Sequence, residues 1–111
     1  MSHKLIVYMI DGVAAEHYQS DRKRLPHFSA LEQRGFRVEN LRSEALGTSL
    51  PGRTSMLTGV TADRSGVYGN MIWDGVAAFR YAGPDDIRVP TIPQLVKAAG
   101  KRVASINAGM I

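Results

Sequence analysis

The stretch EALGTSLPGRTSMLTG, residues 44 to 59, sets Ser49 two residues before Pro51 and Arg53 two residues after it. Phosphoryl and sulfuryl transfer use these residue types: a hydroxyl to attack the central atom and a guanidinium to pair with the anion. A serine hydroxyl is a poor nucleophile at neutral pH until a base or a metal lowers its pKa. A place just ahead of a helix adds N–H groups and a positive dipole end, which favour a tetrahedral anion. The simpler role for an isolated serine before a helix is the N-cap. Thr48, one residue earlier, competes for either role. Arg53 reaches an anionic substrate or simply solvent.

Two further residues have chemistry to offer. Asp11 ends the apolar run Leu5 to Ile10 and is followed by Gly12. Ligands of open α/β sheets gather at the carboxyl ends of strands, so an aspartate there is placed to bind a metal. The plainer alternative is an aspartate that caps a loop. Asn70, in GVYGN, sits in a glycine-flanked turn where its amide serves the local backbone or donates to a phosphoryl oxygen.

The elements that must position these residues are legible in outline. LIVYMI suits a strand buried on both faces, as in a parallel sheet. LPHFSALEQRG predicts a helix with Pro26 in its first turn, Phe28 and Leu31 on one face, and Gly35 at its end. FRVEN alternates as a strand does. A second helix is expected from Pro51 to Thr58, with Gly59 after it. Turn signals and short extended pieces fill residues 60 to 90. In TIPQLVKAAG, Thr91 and Gln94 have capping-box spacing, and Ile92, Leu95, Val96 and Ala99 form an apolar stripe closed by Gly100. RVASINA, 102 to 108, is the next expected strand. This order is that of an α/β protein. It supplies only about three core strands where sheets average roughly five to six, so the expectation for 1–111 is a single partial domain.

Composition narrows the class. The chain has 111 residues, 44% hydrophobic and 22% charged, the balance of a globular protein. The apolar start is too short for a signal-peptide core and lacks a small-residue cleavage site, so a cytoplasmic location is expected unless a leader was removed. No membrane partner is expected. With no cysteine, disulfides and thiolate metal sites are excluded. The net charge of +4 concentrates in DRKRLPHFSALEQRGFRVENLR. Glu32 and Glu39 interrupt it and no aromatic–basic stacking pattern appears, so it reads as a solvated face rather than a specific nucleic-acid site.

Taken together, LIVYMIDG, LPHFSALEQRGF, SLPGRTSMLTGV and SGVYGNMIWD resemble the N-terminal motif order of type I phosphodiesterases/nucleotide pyrophosphatases, in the alkaline phosphatase superfamily. TIPQLVKAAGKRVASI is similar to that family's next helix and strand. The resemblance implies an α/β fold, the N-terminal segment of an alkaline-phosphatase-like sandwich with a mostly parallel central sheet. It implies that Asp11 is a metal ligand, that Ser49 is the nucleophile and also ligates metal, and that Asn70 holds a phosphoryl oxygen. Arg53 is a candidate contact for the substrate anion. The implied reaction hydrolyses phosphodiester or pyrophosphate bonds through a covalent phosphoserine, with two divalent metal ions, zinc by family habit, clamping the attacking and leaving oxygens. The implied partners are a small phosphodiester or nucleotide and the remainder of the catalytic domain.

Departures from the pattern matter. The family's histidine before Gly66 is Ser65 here, and the asparagine usual after the proline is Gly52. The family's remaining ligands, an Asp-x-x-x-His pair, an Asp-His pair and a late His, have no counterpart. His3, His17 and His27 all precede Asn70 and match no ligand motif. Most metal ligands are therefore expected outside this chain, which by itself would be inactive. A sulfatase stays open as the sibling reading, with Ser49 as formylglycine precursor and Arg53 as its best support. Leu50, Gly52 and Gly12 depart from the sulfatase pattern. A non-catalytic α/β interaction module is the third reading.

Overall fold

The computed structural model describes residues 4–106. They fall into two compact units, one up to Leu41 and the other from Arg42 onward.

The first unit holds α1 (Ala15–Asp21), a 3-10 turn (Arg22–Arg24) and α2 (Pro26–Arg34). α2 forms as the sequence predicts, with Pro26 at its start and Gly35 as its cap. α1 carries no cap signature, and the sequence does not announce it. Polar contacts tie the pieces together. The Tyr18 hydroxyl donates to Glu32 Oε1 at 2.7 Å, and Arg22 and Arg37 both pair with the Glu32 carboxylate. Tyr18 and Phe28 meet edge to face with ring centroids 6.1 Å apart. The Tyr18 hydrogen bond, with the two guanidinium groups, holds the Glu32 carboxyl below its ordinary pKa.

The second unit holds α3 (Ser49–Thr58), α4 (Ala62–Ser65), a hairpin of β1 (Met71–Trp73) and β2 (Phe79–Tyr81), a 3-10 turn (Pro84–Asp86), and α5 (Ile92–Ala98). α3 buries Pro51, Thr54 and Leu57, three residues apart and so on one face. Gly59 ends it at φ +71, where its N–H reaches the Ser55 carbonyl at 2.8 Å. α5 begins with the expected capping box: Thr91 N–H donates to Gln94 Oε1, and Gln94 N–H donates back to Thr91 Oγ1.

The hairpin is antiparallel, pairing Met71 with Tyr81, Ile72 with Arg80, and Trp73 with Phe79. The Asp74 carboxylate shapes its loop by accepting N–H bonds from Val76, Ala77 and Ala78. Those bonds keep its pKa below the usual value. Ile72 turns inward onto Val67 and Ala82, where Leu50 and Ile87 also pack. That cluster is the small core on which α3 and the hairpin rest.

The strand expectations fare differently. Among the described residues, 5–10, 36–40 and 102–106 join no ladder, and 107–108 lie outside them. A strand exists only where neighbours take its N–H and C=O groups, and among the described residues these segments have no ladder partner. Ile6, Tyr8 and Phe36 lie more than 80% exposed. Hence the expected parallel central sheet is not found among the described residues. Their ladder is the antiparallel hairpin, within an α/β mixture of helices and two strands.

Candidate functional site

Ser49 opens α3 as its first residue rather than preceding it; Thr48 is the extended residue before the helix. Thr48 makes no side-chain cap bond. The cap comes instead from Asn70, whose Oδ1 accepts the Leu50 N–H at 2.8 Å. Other amides of this turn are committed as well. Thr48 N–H donates to the Leu46 carbonyl, Gly52 N–H donates to Thr48 at 3.1 Å, and Pro51 has no N–H. The expected cradle of open N–H groups for a tetrahedral anion is therefore much reduced.

Asn70 is held at both ends. Its backbone carbonyl accepts the Ala82 N–H at 2.9 Å, one step beyond the β1–β2 ladder, while its side chain reaches α3. Because the hairpin rests on the Val67–Ala82 core together with Leu50, backbone and core packing fix the Asn70 side chain beside the turn that Ser49 begins. Ser49 and Arg53, four residues apart, share a face of α3. Both are half-buried. Ser49, Arg53 and Asn70 thus belong to one unit. Asp11 lies in the other unit, exposed, in a turn that Gly12 completes at φ +75.

Sequence reasoning missed Glu44. Its Oε1 accepts the N–H of Ala62, the first residue of α4, at 2.7 Å, and its Oε2 accepts the Ser55 hydroxyl at 3.2 Å. The Glu44 carbonyl also accepts the Gly47 N–H at 3.1 Å. One carboxylate therefore pins the loop leading into Ser49 against both α3 and α4. No sequence signal gives this, because the partners lie 11 and 18 residues away.

Ser65, where the resemblance noted above implies a histidine, is fully buried. Gly66 follows at φ +85, and a Cβ there would sit 2.7 Å from Arg88 Nε. The Arg88 N–H donates to the Ser65 carbonyl at 2.9 Å, so Arg88 closes over this turn.

Among the described residues, no three His, Cys, Asp or Glu side chains cluster as metal ligands. Asp11 and Ser49 offer one carboxylate and one hydroxyl, short of the roughly four donors a zinc ion takes. These residues alone do not fit a metal site. No helix among them is long and apolar enough to cross a membrane.

The family model described as Type I phosphodiesterase / nucleotide pyrophosphatase matches residues 5–108, which takes in Asp11, Ser49, Arg53 and Asn70. No solved structure matches the chain.

Proposed function

The chain belongs to the type I phosphodiesterase / nucleotide pyrophosphatase family, and from that premise we propose that Ser49 is the nucleophile in hydrolysis of phosphodiester or pyrophosphate bonds. The family consists of hydrolases of such bonds, generally metal-dependent, acting on phosphodiester and nucleotide substrates. In the proposed reaction the Ser49 oxygen forms a bond to phosphorus as the bond to the leaving oxygen breaks, in line. Water then hydrolyses the phosphoserine and restores the hydroxyl. The Asn70 NH₂ donates to a non-bridging oxygen, and Arg53, on the Ser49 face of α3, pairs with the substrate anion. Asp11 is a metal-ligating carboxylate in this scheme.

The observation that most supports this assignment is the Leu50–Asn70 hydrogen bond. It ties the carboxamide to the turn that Ser49 begins, across 20 residues of sequence. A metal would supply charge neutralisation and activation of the hydroxyl. Asp11 and Ser49 are too few donors to hold it, so the remaining ligands come from outside the described residues. The 111-residue chain is accordingly silent as a catalyst when isolated, a partial domain that works only with the rest of a catalytic domain.

Ser49→Ala in the full product of the gene tests the assignment. Without a substitute nucleophile, turnover is lost in kcat and not only in KM. Full activity in Ser49→Ala with loss in Thr48→Ala would move the nucleophile one residue earlier.

Arg53 beside Ser49 favours one second reading, a sulfatase. There Ser49 is oxidised before turnover to formylglycine, its CH₂OH losing two hydrogens to an oxidant in maturation. Peptide mass spectrometry of natively expressed protein separates the two, since the phosphodiesterase keeps an intact serine.

A further inference from the structure

The N-terminus of α3 lacks the cap its sequence advertises. Thr48 is of a preferred N-cap type and has the extended backbone of an N-cap, yet its side chain makes no cap bond. The second residue of the helix, Leu50, instead donates its N–H to Asn70 Oδ1. A backbone N–H only donates, so the atom facing it is the carboxamide oxygen. The carboxamide is planar, and fixing its oxygen fixes its nitrogen too. The Asn70 backbone is itself anchored, through its carbonyl, to Ala82.

We infer that Asn70 is the functional N-cap of α3, delivered from 20 residues downstream, and that it is a positioning residue for Ser49 through that bond. The cap has two consequences. It holds the first turn of α3, and with it Ser49, against the hairpin. It also commits one lone pair of the carboxamide oxygen to the protein and so sets the direction in which the NH₂ donates to a ligand. The consequence for catalysis rests on Ser49 being the nucleophile. The cap itself does not.

The test is amide hydrogen exchange, resolved by NMR, at Leu50 in the full 111-residue chain. It compares the parent with Asn70→Ala, Asn70→Asp and Thr48→Ala, using the α5 amides as an internal reference. Asn70→Ala is expected to speed Leu50 exchange by about fivefold or more relative to α5, the effect of one lost cap. Asn70→Asp keeps an acceptor oxygen, adds a negative charge at a helix N-terminus, and restores parental protection. Thr48→Ala leaves Leu50 within about twofold of the parent, although a threonine at that position ordinarily caps. A non-specific structural role would not give rescue by aspartate. If Asn70→Ala exposes amides throughout the chain, the comparison of Asn70→Asp with Thr48→Ala decides. Fast Leu50 exchange in Thr48→Ala, or no rescue by aspartate, overturns the inference. Because exchange needs no turnover, its outcome is independent of the assigned reaction. In the full product of the gene, with the cap kept and the NH₂ donor gone, Asn70→Asp reports separately on that assignment through its activity.

Discussion

Asp86 illustrates how one carboxylate can order a turn. Arg80 meets it with two nitrogens at 2.8 and 2.7 Å, and the Gly83 N–H donates to it at 2.8 Å. The Arg80 hydrogen bonds, helped by Gly83, lower its pKa from 3.8 to about 2. The folded form thus favours the charged carboxylate. Its stabilisation is complete above the unfolded pKa near 4 and fades as pH falls through about 2. Acid titration of melting temperature should show this loss between roughly pH 4 and 2, and Asp86→Asn should flatten it and lower stability at neutral pH. Thr54 is the opposite case: fully buried, with an Oγ1 that finds no hydrogen-bond partner among the described residues. A buried orphan hydroxyl costs about 1–3 kcal/mol. Thr54→Val, close in volume, should leave the melting temperature unchanged or raise it, whereas a clear drop would mean that the hydroxyl is used. At this scale the sequence is a good guide to residue type and a poor one to partnership. Ser49 and Asn70 stand out by motif, while Glu44, the strut under the Ser49 loop, has no motif at all.

The elements that could be read from the sequence are those whose signals are local. α2 and α5 begin at prolines and a capping box and end near glycines, and all of those signals lie within a turn of the element. Thr91→Ala should therefore cost about 1 kcal/mol in chemical denaturation. Strands carry no such closure. LIVYMI and FRVEN have strand composition, but a ladder needs a partner that the periodicity of one segment cannot name. The hairpin was legible only as turn signals, because the Asp74 carboxylate, and not a two-residue turn, shapes its loop. The cap of α3 was hidden for a similar reason: it comes from a different element. Glu44 makes a test at this scale. Glu44→Ala removes the contacts to Ala62 and Ser55 and should cost about 2 kcal/mol, because hydrogen bonds to charged groups are the stronger ones. Glu44→Gln can still accept from Ala62 N–H and donate to Ser55, and should recover much of that loss. Equal losses in the two variants would show that the carboxylate charge, rather than the pair of contacts, holds the loop.

Across the whole molecule the prominent quantity is uncovered apolar surface. Met71, Trp73, Phe79 and Tyr81 alternate along the hairpin on the face opposite Ile72, and all four are about half exposed or more. Leu5, Ile6 and Tyr8 are exposed still further. Surface of this kind lowers its free energy by association, at roughly 25 cal/mol for each Å² covered. The isolated chain should bind a hydrophobic dye and show an apparent mass that rises with concentration in sedimentation. A dye-silent monomer at high concentration would contradict this. The same exposure supports the proposal that 1–111 works within a larger catalytic domain. The central claim, that Ser49 takes the phosphoryl group, has one direct measurement. The full product of the gene is quenched during turnover of a nitrophenyl phosphodiester, digested with trypsin, and the peptide from Ser43 to Arg53 is mapped by fragmentation mass spectrometry. The predicted result is one phosphoryl group on Ser49, absent in Ser49→Ala together with turnover. A phosphoryl group on Thr48, a formylglycine at 49, or undiminished turnover by Ser49→Ala would contradict it.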